Sequence, residues 1–408
     1  MPPPLIQPLR RGFDPSIPTG EFSNQWTHPG DVFSVLLILG GEVVNRALAQ
    51  LAGTSATPVT FSFGWVAYAV TAVVSAVGEN KLMPIPDCAC RVINGESGYV
   101  RDNASWIIGR MVRDFGYWRH NDIRKHLDRM LERKWAENKE AAEKRQAGTG
   151  YNVKRPTQAG LCVSIYQSRV AKPGYPGYDT VYFSGFLIAL VQLGIAAIPC
   201  GLFGDWGVFL VTVCGILLSF ATGSLPQWSK EKWACRCHSR KTIVLTRGNG
   251  SQHAIVIMGE GRGLDLEDLA AGPTNVDVST SCLTRITVIV LAIFWILLLI
   301  TASGIKQNTW FLLAVGGIGI VQNVFVAGWP RTPDAFGVPL TFNTVIGETK
   351  VMDTLFAVEE DYPRLGKSML DTFFPSGNLR PAEKVRWAEL DTRVDNHANA
   401  AANAQTNI

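Results

Sequence analysis

The chain has 408 residues, of which 47% are hydrophobic and only 18% are charged, and its mean hydropathy is +0.12. A soluble domain usually carries about 25% charged residues, so this composition argues against a single soluble core. The net charge of +4, with basic residues placed mainly beside apolar segments, argues against a nucleic-acid-binding protein. The opening stretch MPPPLIQPLRRGFDPSIPTG contains no apolar h-region, so it does not predict a cleavable signal peptide.

Six apolar segments have the length expected of transmembrane helices, since about 20 apolar residues cross the hydrocarbon core. They are Asp31–Ala52, Val59–Val77, Val181–Phe203, Trp206–Ala221, Leu283–Ser303 and Thr309–Gly328. The first is the weakest because Glu42 and Arg46 interrupt it, and a central charge costs roughly 2.5–3.5 kcal/mol on insertion. The alternative there is a re-entrant or interfacial segment, which would place the N-terminus on the opposite face of the membrane.

The six segments pair into three helical hairpins. The hairpins are 31–77, 181–221 and 283–328, and their short connectors are 53–58, 204–205 and 304–308. The segments on the opposite side are 1–30, 78–180, 222–282 and 329–408, the last of them disordered at its end. Close to the helix ends, eleven Lys and Arg residues lie on that side, against Lys306 alone in the short connectors. The positive-inside rule therefore predicts cytosolic termini and cytosolic long loops, in the plasma membrane or an endomembrane, and excludes a receptor with a folded ectodomain.

Glu42 and Arg46 form a candidate intramembrane polar pair. They stand four residues apart with the acid on the N-terminal side, which is the favourable order for a helical ion pair. The helix face that carries these two charged side chains is expected to point into the bundle or into a watery cavity, and not towards lipid. Two interpretations stay open: the pair satisfies itself and locks helix packing, or it lines a path for a solute or a proton.

The first long loop shows helical periodicity around 108–115 and again around 123–131. These patterns predict cytosolic amphipathic helices that pack on the membrane face or on their neighbours. Basic residues on them, among them Arg110 and Arg113, leave open a helix that binds a partner protein or anionic lipid.

The second long loop contains two β-branched runs that flank Gly248-Asn249-Gly250, and this pattern predicts a small β-hairpin over 242–258. The GEGRG sequence that follows does not have the spacing of a dinucleotide-binding motif, so it is interpreted as a turn. After residue 329, short helical patterns occur at about 348–360 and 381–390.

Four cysteines lie close to predicted cytosolic helix ends, in the pairs Cys88 with Cys90 and Cys235 with Cys237. They are free thiols, sites of reversible acylation, or ligands of one zinc ion, although C-x-C is closer than the usual ligand spacing. The six histidines are scattered, and no HExxH, GxSxG or DHHC sequence is present. The sequence therefore predicts no catalytic residue, no metal site and no cofactor.

The stretch 178–270, which includes YDTVYFSGF, GLFGDWGVFLV and SLPQWSKEKWACRCHSRKTIVLTRGNGSQHAIVIMGEGRGLDLEDLA, resembles a family of multi-pass integral membrane proteins of filamentous fungi whose members are uncharacterised. The resemblance covers about a quarter of the chain specifically. It implies a fungal source and a multi-pass membrane fold, and it implies no activity and no catalytic residues.

The sequence therefore predicts an all-α polytopic membrane protein with about six transmembrane helices in three hairpins, cytosolic helices and a small β-hairpin. Two functions fit this architecture. The first is a non-enzymatic membrane scaffold or regulator whose cytosolic platform binds a cytosolic protein or anionic lipid, in addition to the lipid bilayer. The alternative is a small-solute transporter or channel. A transporter requires that polar residues of several spans converge on one lumen, and the candidates are Gln192, Thr212, Gln322 and Asn323.

Overall fold

The computed structural model describes residues 40–53, 56–145, 153–375 and 377–406. The first elements are helices α1 (Gly41–Leu51) and α2 (Gly64–Val74, continued by a π-helical turn, Ser75–Glu79), strands β1 (Arg91–Asn94) and β2 (Val100–Asp102), helices α3 (Trp106–Arg113), α4 (Phe115–Trp118) and α5 (Asn121–Arg145), and strand β3 (Leu161–Ser168). Then follow helices α6 (Thr180–Phe203), α7 (Gly207–Gly223) and α8 (Pro226–Lys232), strands β4 (Cys237–Ser239), β5 (Thr242–Thr246), β6 (His253–Met258) and β7 (Gly263–Leu264), and helix α9 (Leu266–Ala271). The last are helices α10 (Cys282–Ser303) and α11 (Thr309–Gly328), strand β8 (Leu340–Glu348), and helices α12 (Val351–Asp361), α13 (Leu365–Phe373) and α14 (Pro381–Thr406).

Three helices in the described residues, α6, α10 and α11, are long and apolar enough to cross a membrane. Helices α7 and α8 would form a fourth span if this pair, bent by 41°, is counted as one. The prediction of six spans is not confirmed. The remaining apolar helix, Gly64–Glu79, is shorter than a full span.

Helices α1, α2, α6, α7, α10 and α11 pack into one bundle. At one end the two short connectors meet, since Asn308 Nδ2 donates to Asp205 Oδ2 at 2.9 Å. At the other end, which we call the sheet side, Arg331 after α11 pairs with Asp179 before α6. The connectors 204–205 and 304–308 thus lie together, as the sequence predicts.

Residues 56–63, the central segment, form no helix and are buried almost throughout. The segment begins at the sheet side, where Thr57 Oγ1 donates to Gly223 O at the end of α7. It ends deep in the bundle, where the ring of Phe61 stacks on Trp295 in the middle of α10. Helix α2 then returns to the sheet side, since Ala76 O accepts from Thr280 Oγ1 just before α10 begins. The chain therefore enters and leaves the bundle at the same end.

This path corrects the prediction of a spanning helix from Val59 to Val77, because its first residues belong to the central segment and the helix begins only at Gly64. Helix α1 also begins deep in the bundle, with Gly40 against Gly64, and reaches the sheet side, where Gln50 Nε2 donates to Trp329 O at 3.0 Å. The connector 53–58 was predicted on the side of the other short connectors, whereas its described residues lie at the sheet side. The predicted residues 31–39 of the first span fall outside the described residues.

Close approach explains why glycines face the central segment. A Cβ at Gly185 of α6 would collide with Pro58 O, and a Cβ at Gly319 of α11 would collide with Phe61 O. Both helices can approach the non-helical backbone only because these two positions lack side chains. A membrane interior tolerates such backbone only where protein surrounds it.

A mixed six-stranded sheet lies beyond the sheet side, with strand order β2-β1-β5-β6-β3-β8. Strands β5 and β6 form the predicted hairpin, with Thr242 opposite Met258 and Thr246 opposite Ala254. Strands β3 and β6 are parallel, and the other neighbouring pairs are antiparallel. The expectation of an all-α protein is therefore wrong, since only the hairpin was predicted and it is one part of a larger sheet.

Helices cover both faces of this sheet. Alternate residues of β3, Leu161, Val163 and Ile165, pack with α12, α13 and α14 in one core. The intervening residues Cys162 and Tyr166 belong to a second core, which continues through α3 into the bundle. The sheet is thus joined to the bundle by continuous apolar packing. Helices α12 and α14 match the predicted patterns at 348–360 and 381–390, and α14 continues to Thr406, where the sequence predicts disorder.

Candidate functional site

Two of the four polar residues predicted to line a lumen, Gln192 and Asn323, contact the central segment. Gln192 Nε2 donates to Phe61 O at 2.7 Å and to Val315 O at 2.8 Å. Asn323 Nδ2 donates to Thr60 O at 3.1 Å, and Thr60 Oγ1 donates to Asn323 Oδ1 at 2.9 Å. These side chains therefore satisfy backbone and hydroxyl groups that the absence of a helix leaves without partners.

The other two candidates also bond to protein atoms. Gln322 Nε2 donates to Ser184 Oγ at 2.6 Å, which joins α11 to α6. Thr212 Oγ1 donates to Val208 O of its own helix at 2.8 Å. Each of the four predicted lumen residues thus forms a hydrogen bond to another atom of the protein.

A cluster of charged side chains, most of them buried, lies where the bundle meets the sheet and the helices packed on it, which we call the sheet layer. We call this cluster the junction. Its members are Asp87, Arg110, Asp114, Asp179, Lys232 and Arg331. The Arg110 guanidinium, 1% exposed, donates to Asp87 Oδ2 at 2.9 Å, to Ala327 O at 2.9 Å and to Trp329 O at 2.8 Å. A cation from α3 of the sheet layer therefore caps the carbonyl end of α11, where the helix dipole favours positive charge.

Arg331 holds several segments together at the junction. Its Nε donates to Asp179 Oδ2 at 2.8 Å, and its Nη1 donates to Gln50 O at 3.1 Å. Its Nη2 donates to Pro176 O at 2.9 Å and to Gly177 O at 2.6 Å. One guanidinium thus joins the end of α1 to the approach to α6 through a fixed fork of donors.

Lys232 is buried without a carboxylate partner among the described residues. Its Nζ donates to Gln50 O at 3.1 Å and to Ala52 O at 2.8 Å, the last carbonyls of α1. The rings of Trp106 and Trp233 lie 5.4 and 4.9 Å from the same atom. Burial, together with the nearby arginines, lowers the pKa of Lys232 well below its usual range.

The predicted Glu42–Arg46 pair is formed, with Oε1 and Nη2 2.6 Å apart. It lies on the surface of the described residues, since the Glu42 side chain is 74% exposed and that of Arg46 47%. Arg46 also approaches Asp87 of the junction at 3.6 Å. The pair therefore does not face the centre of the bundle, which was one of the two orientations expected from the sequence, the other being a watery cavity.

The four cysteines named from the sequence occupy different environments. Cys237 is exposed and Cys88 is partly exposed, whereas burial raises the pKa of both Cys90 and Cys235 to about 12. Because the thiolate is the reactive form, Cys90 and Cys235 are poor nucleophiles. In the described residues, no group of three or more His, Cys, Asp or Glu side chains could hold a metal ion.

Sequence reasoning did not find the junction. Arg110 was grouped with a basic helix face available to lipid or a partner, yet it is buried. Arg331 lies directly after a span, but its guanidinium binds Gln50 O, Pro176 O and Gly177 O and not the last carbonyls of α11, so its position along the chain does not indicate its partners. No sequence feature pairs Lys232 or Arg331 with Gln50, because the partners lie 182 and 281 residues away.

Comparisons with known proteins give no assignment. No protein-family model matches the chain, no curated protein matches it, and no solved structure matches it.

Proposed function

We propose that this chain is a multi-pass integral membrane protein that acts as a non-enzymatic scaffold, with the sheet layer as a platform fixed to one face of the bundle. The observation that carries the proposal is that polar side chains in the bundle form hydrogen bonds to other parts of the protein. Gln192 and Asn323 are directed at the central segment, so they hold one packed arrangement together. The resemblance of residues 178–270 to a family of multi-pass membrane proteins of filamentous fungi is consistent with this proposal.

The junction supports the same proposal. Arg110 ties α3 of the sheet layer to the end of α11, and Arg331 ties the end of α1 to the segment before α6; each side chain is 1% exposed and binds carbonyl groups and a carboxylate. Buried hydrogen-bonded charges are costly to separate, since breaking one pair costs about 3–5 kcal/mol. A platform attached in this way keeps a fixed orientation relative to the membrane, which suits the display of a binding surface.

The proposed orientation places the sheet side in the cytosol. The end of the bundle opposite the sheet carries Lys306 as its only Lys or Arg in the connectors 204–205 and 304–308. Positive residues near the helix ends favour the cytosolic side. A tag fused after Ile408 should therefore be inaccessible to antibody in intact cells and accessible after permeabilisation, and labelling of intact cells would contradict this orientation.

A small-solute transporter or channel is the second candidate. The central segment favours it, because broken helices near the membrane midplane form substrate and ion sites in many transporters. The two functions differ in whether water reaches that segment. In a scaffold the segment stays packed, whereas a transport path has to open beside it.

Cysteine accessibility distinguishes the two functions. Ser62, 1% exposed on the central segment, is replaced by Cys in a variant whose six cysteines that are not buried have become serine. The control is Ser97→Cys, which places the same thiol on an exposed turn of the sheet layer. In nanodiscs, where both faces are accessible, a charged maleimide should label Ser97→Cys and leave Ser62→Cys unlabelled. Labelling of both at similar rates would refute the scaffold and favour the transporter.

A further inference from the structure

A cavity of about 480 Å³ lies beside the turn of the β5–β6 hairpin, next to α3 and α4. Its walls combine the apolar side chains of Phe115 and Ile255 with the polar groups of Arg247, Gln252 and His253. Ligand pockets typically measure about 300–1,000 Å³ and combine apolar walls with a few directed polar groups. The size and the composition of this cavity therefore fit a small organic ligand.

The polar groups of this cavity include several donors that have no acceptor. Gln252 Nε2 is buried without a hydrogen-bond partner, and so is His253 Nδ1, which donates or accepts according to the tautomer of the ring. Within the described residues, the backbone N–H groups of Asn249 and Gly250 at the exposed turn also donate to no protein acceptor. A buried donor without a partner, such as Gln252 Nε2, is rare because it costs about 1–3 kcal/mol. A ligand that supplies several acceptor oxygens would remove this cost and could also accept from the turn amides.

The charge around the cavity is positive. Arg247 is exposed and makes no ion pair with the described residues, and no carboxylate lines the cavity. Arg113 also lines it, although this guanidinium already contacts Asp114 at 2.7 Å. The side chain of Arg91 lies beside Gly248 at the edge of the same turn. Guanidinium groups and free backbone amides at a turn are the groups that bind phosphate.

We propose that this cavity binds the phosphate group of a small phosphorylated molecule, with Arg247, Gln252 and the turn amides as donors. The apolar wall at Phe115 and Ile255 contacts the organic part of the ligand. Arg113 also donates to Gly328 O at the end of α11 at 3.2 Å, so the cavity lies close to the sheet side of the bundle. The phosphate therefore comes either from a soluble molecule or from a lipid headgroup.

Binding is tested on the full chain in nanodiscs of phosphatidylcholine. Adenosine monophosphate is titrated as the soluble probe, and nanodiscs that contain phosphatidic acid provide the lipid source, with adenosine monophosphate then used as a competitor. Arg247→Gln and Gln252→Leu remove donors from the cavity. Arg262→Gln removes an exposed arginine that forms no ion pair with the described residues, in the turn between β6 and β7, and serves as the matched control.

We expect saturable binding of one probe, at least tenfold weaker in Arg247→Gln and weaker in Gln252→Leu, and unchanged in Arg262→Gln. If adenosine monophosphate binds equally well with and without phosphatidic acid, the ligand is a soluble molecule. If phosphatidic acid prevents its binding, the lipid headgroup occupies the cavity. The proposal is overturned if neither probe binds, or if Arg247→Gln and Arg262→Gln weaken binding equally. Because the scaffold proposal depends on the bundle, it survives either result.

Discussion

Arg331→Met tests whether the junction stabilises the fold by joining the end of α1 to the segment before α6. The substitution keeps a long side chain and removes the guanidinium that contacts Asp179, Gln50 O, Pro176 O and Gly177 O. Gln50 O still accepts from Lys232, and Gly177 O still accepts from the amide of Asp179. Pro176 O loses its donor, and the Asp179 carboxylate loses its cation.

The magnitude follows from these losses. An orphaned buried carbonyl costs about 1–3 kcal/mol, and removal of one member of a buried ion pair costs about 3–5 kcal/mol. Asp179 is 36% exposed, so water screens part of its charge and the lower end applies. With the lower end taken for the carbonyl as well, we expect Arg331→Met to lower the free energy of unfolding by about 4 kcal/mol.

The assay is denaturant unfolding of the purified chain in mild detergent, followed by tryptophan fluorescence. The control is Arg236→Met, which removes an ion pair with Asp268 from a side chain that is 75% exposed. Exposed pairs contribute about 0–1 kcal/mol, so the control should unfold almost as the wild type does. Equal effects of the two substitutions would refute the reasoning that the junction stabilises this arrangement.

Three further predictions concern Gln192, His253 and the four cysteines named from the sequence. Gln192→Leu removes the donor to Phe61 O and should lower the free energy of unfolding by about 1–3 kcal/mol, whereas Gln322→Leu should have a smaller effect because Ser184 Oγ also bonds to Val181 O. Burial lowers the pKa of His253 to about 4, so between about pH 6.5 and 4 the unfolded chain binds a proton that the folded chain does not. Stability should therefore fall as the pH falls through this range, and a His253→Asn variant that keeps the same slope would contradict the assignment. If the cysteines are acylated, a hydroxylamine-sensitive mass shift should disappear in Cys88→Ser/Cys237→Ser, and its persistence there would instead implicate Cys90 or Cys235.

The sequence predicted those elements whose signal is local. Helices α6, α10 and α11 were expected from continuous apolar runs, and the β5–β6 hairpin from its Gly-Asn-Gly turn. Strand β3 also has a local signal, since Leu161, Val163 and Ile165 alternate with Cys162 and Ser164 and occupy one face. That alternation would have predicted a further strand.

The features that were not predicted depend on distant contacts. The residues TPVTFSF are apolar enough to resemble the start of a spanning helix. Distant residues, among them Gly185, Gln192 and Gly319, make room and supply partners for them as non-helical backbone. The Glu42–Arg46 pair was expected from its spacing, but its exposure depends on how α1 packs. The donors around the hairpin cavity are likewise brought together by the sheet and α3.

The central segment also constrains the order in which this protein can be assembled. Its backbone needs Gln192 and Asn323, which are synthesised about 130 and 260 residues after it. Unpaired backbone groups in hydrocarbon cost several kcal/mol each. In the membrane arrangement that we propose, residues 56–63 therefore do not enter the lipid interior as soon as they leave the ribosome. They stay near the aqueous boundary until α6 and α11 have inserted, and then enter the space between these helices. A chain truncated before α11 should therefore retain helix α6 in the membrane but leave the central segment open to protease.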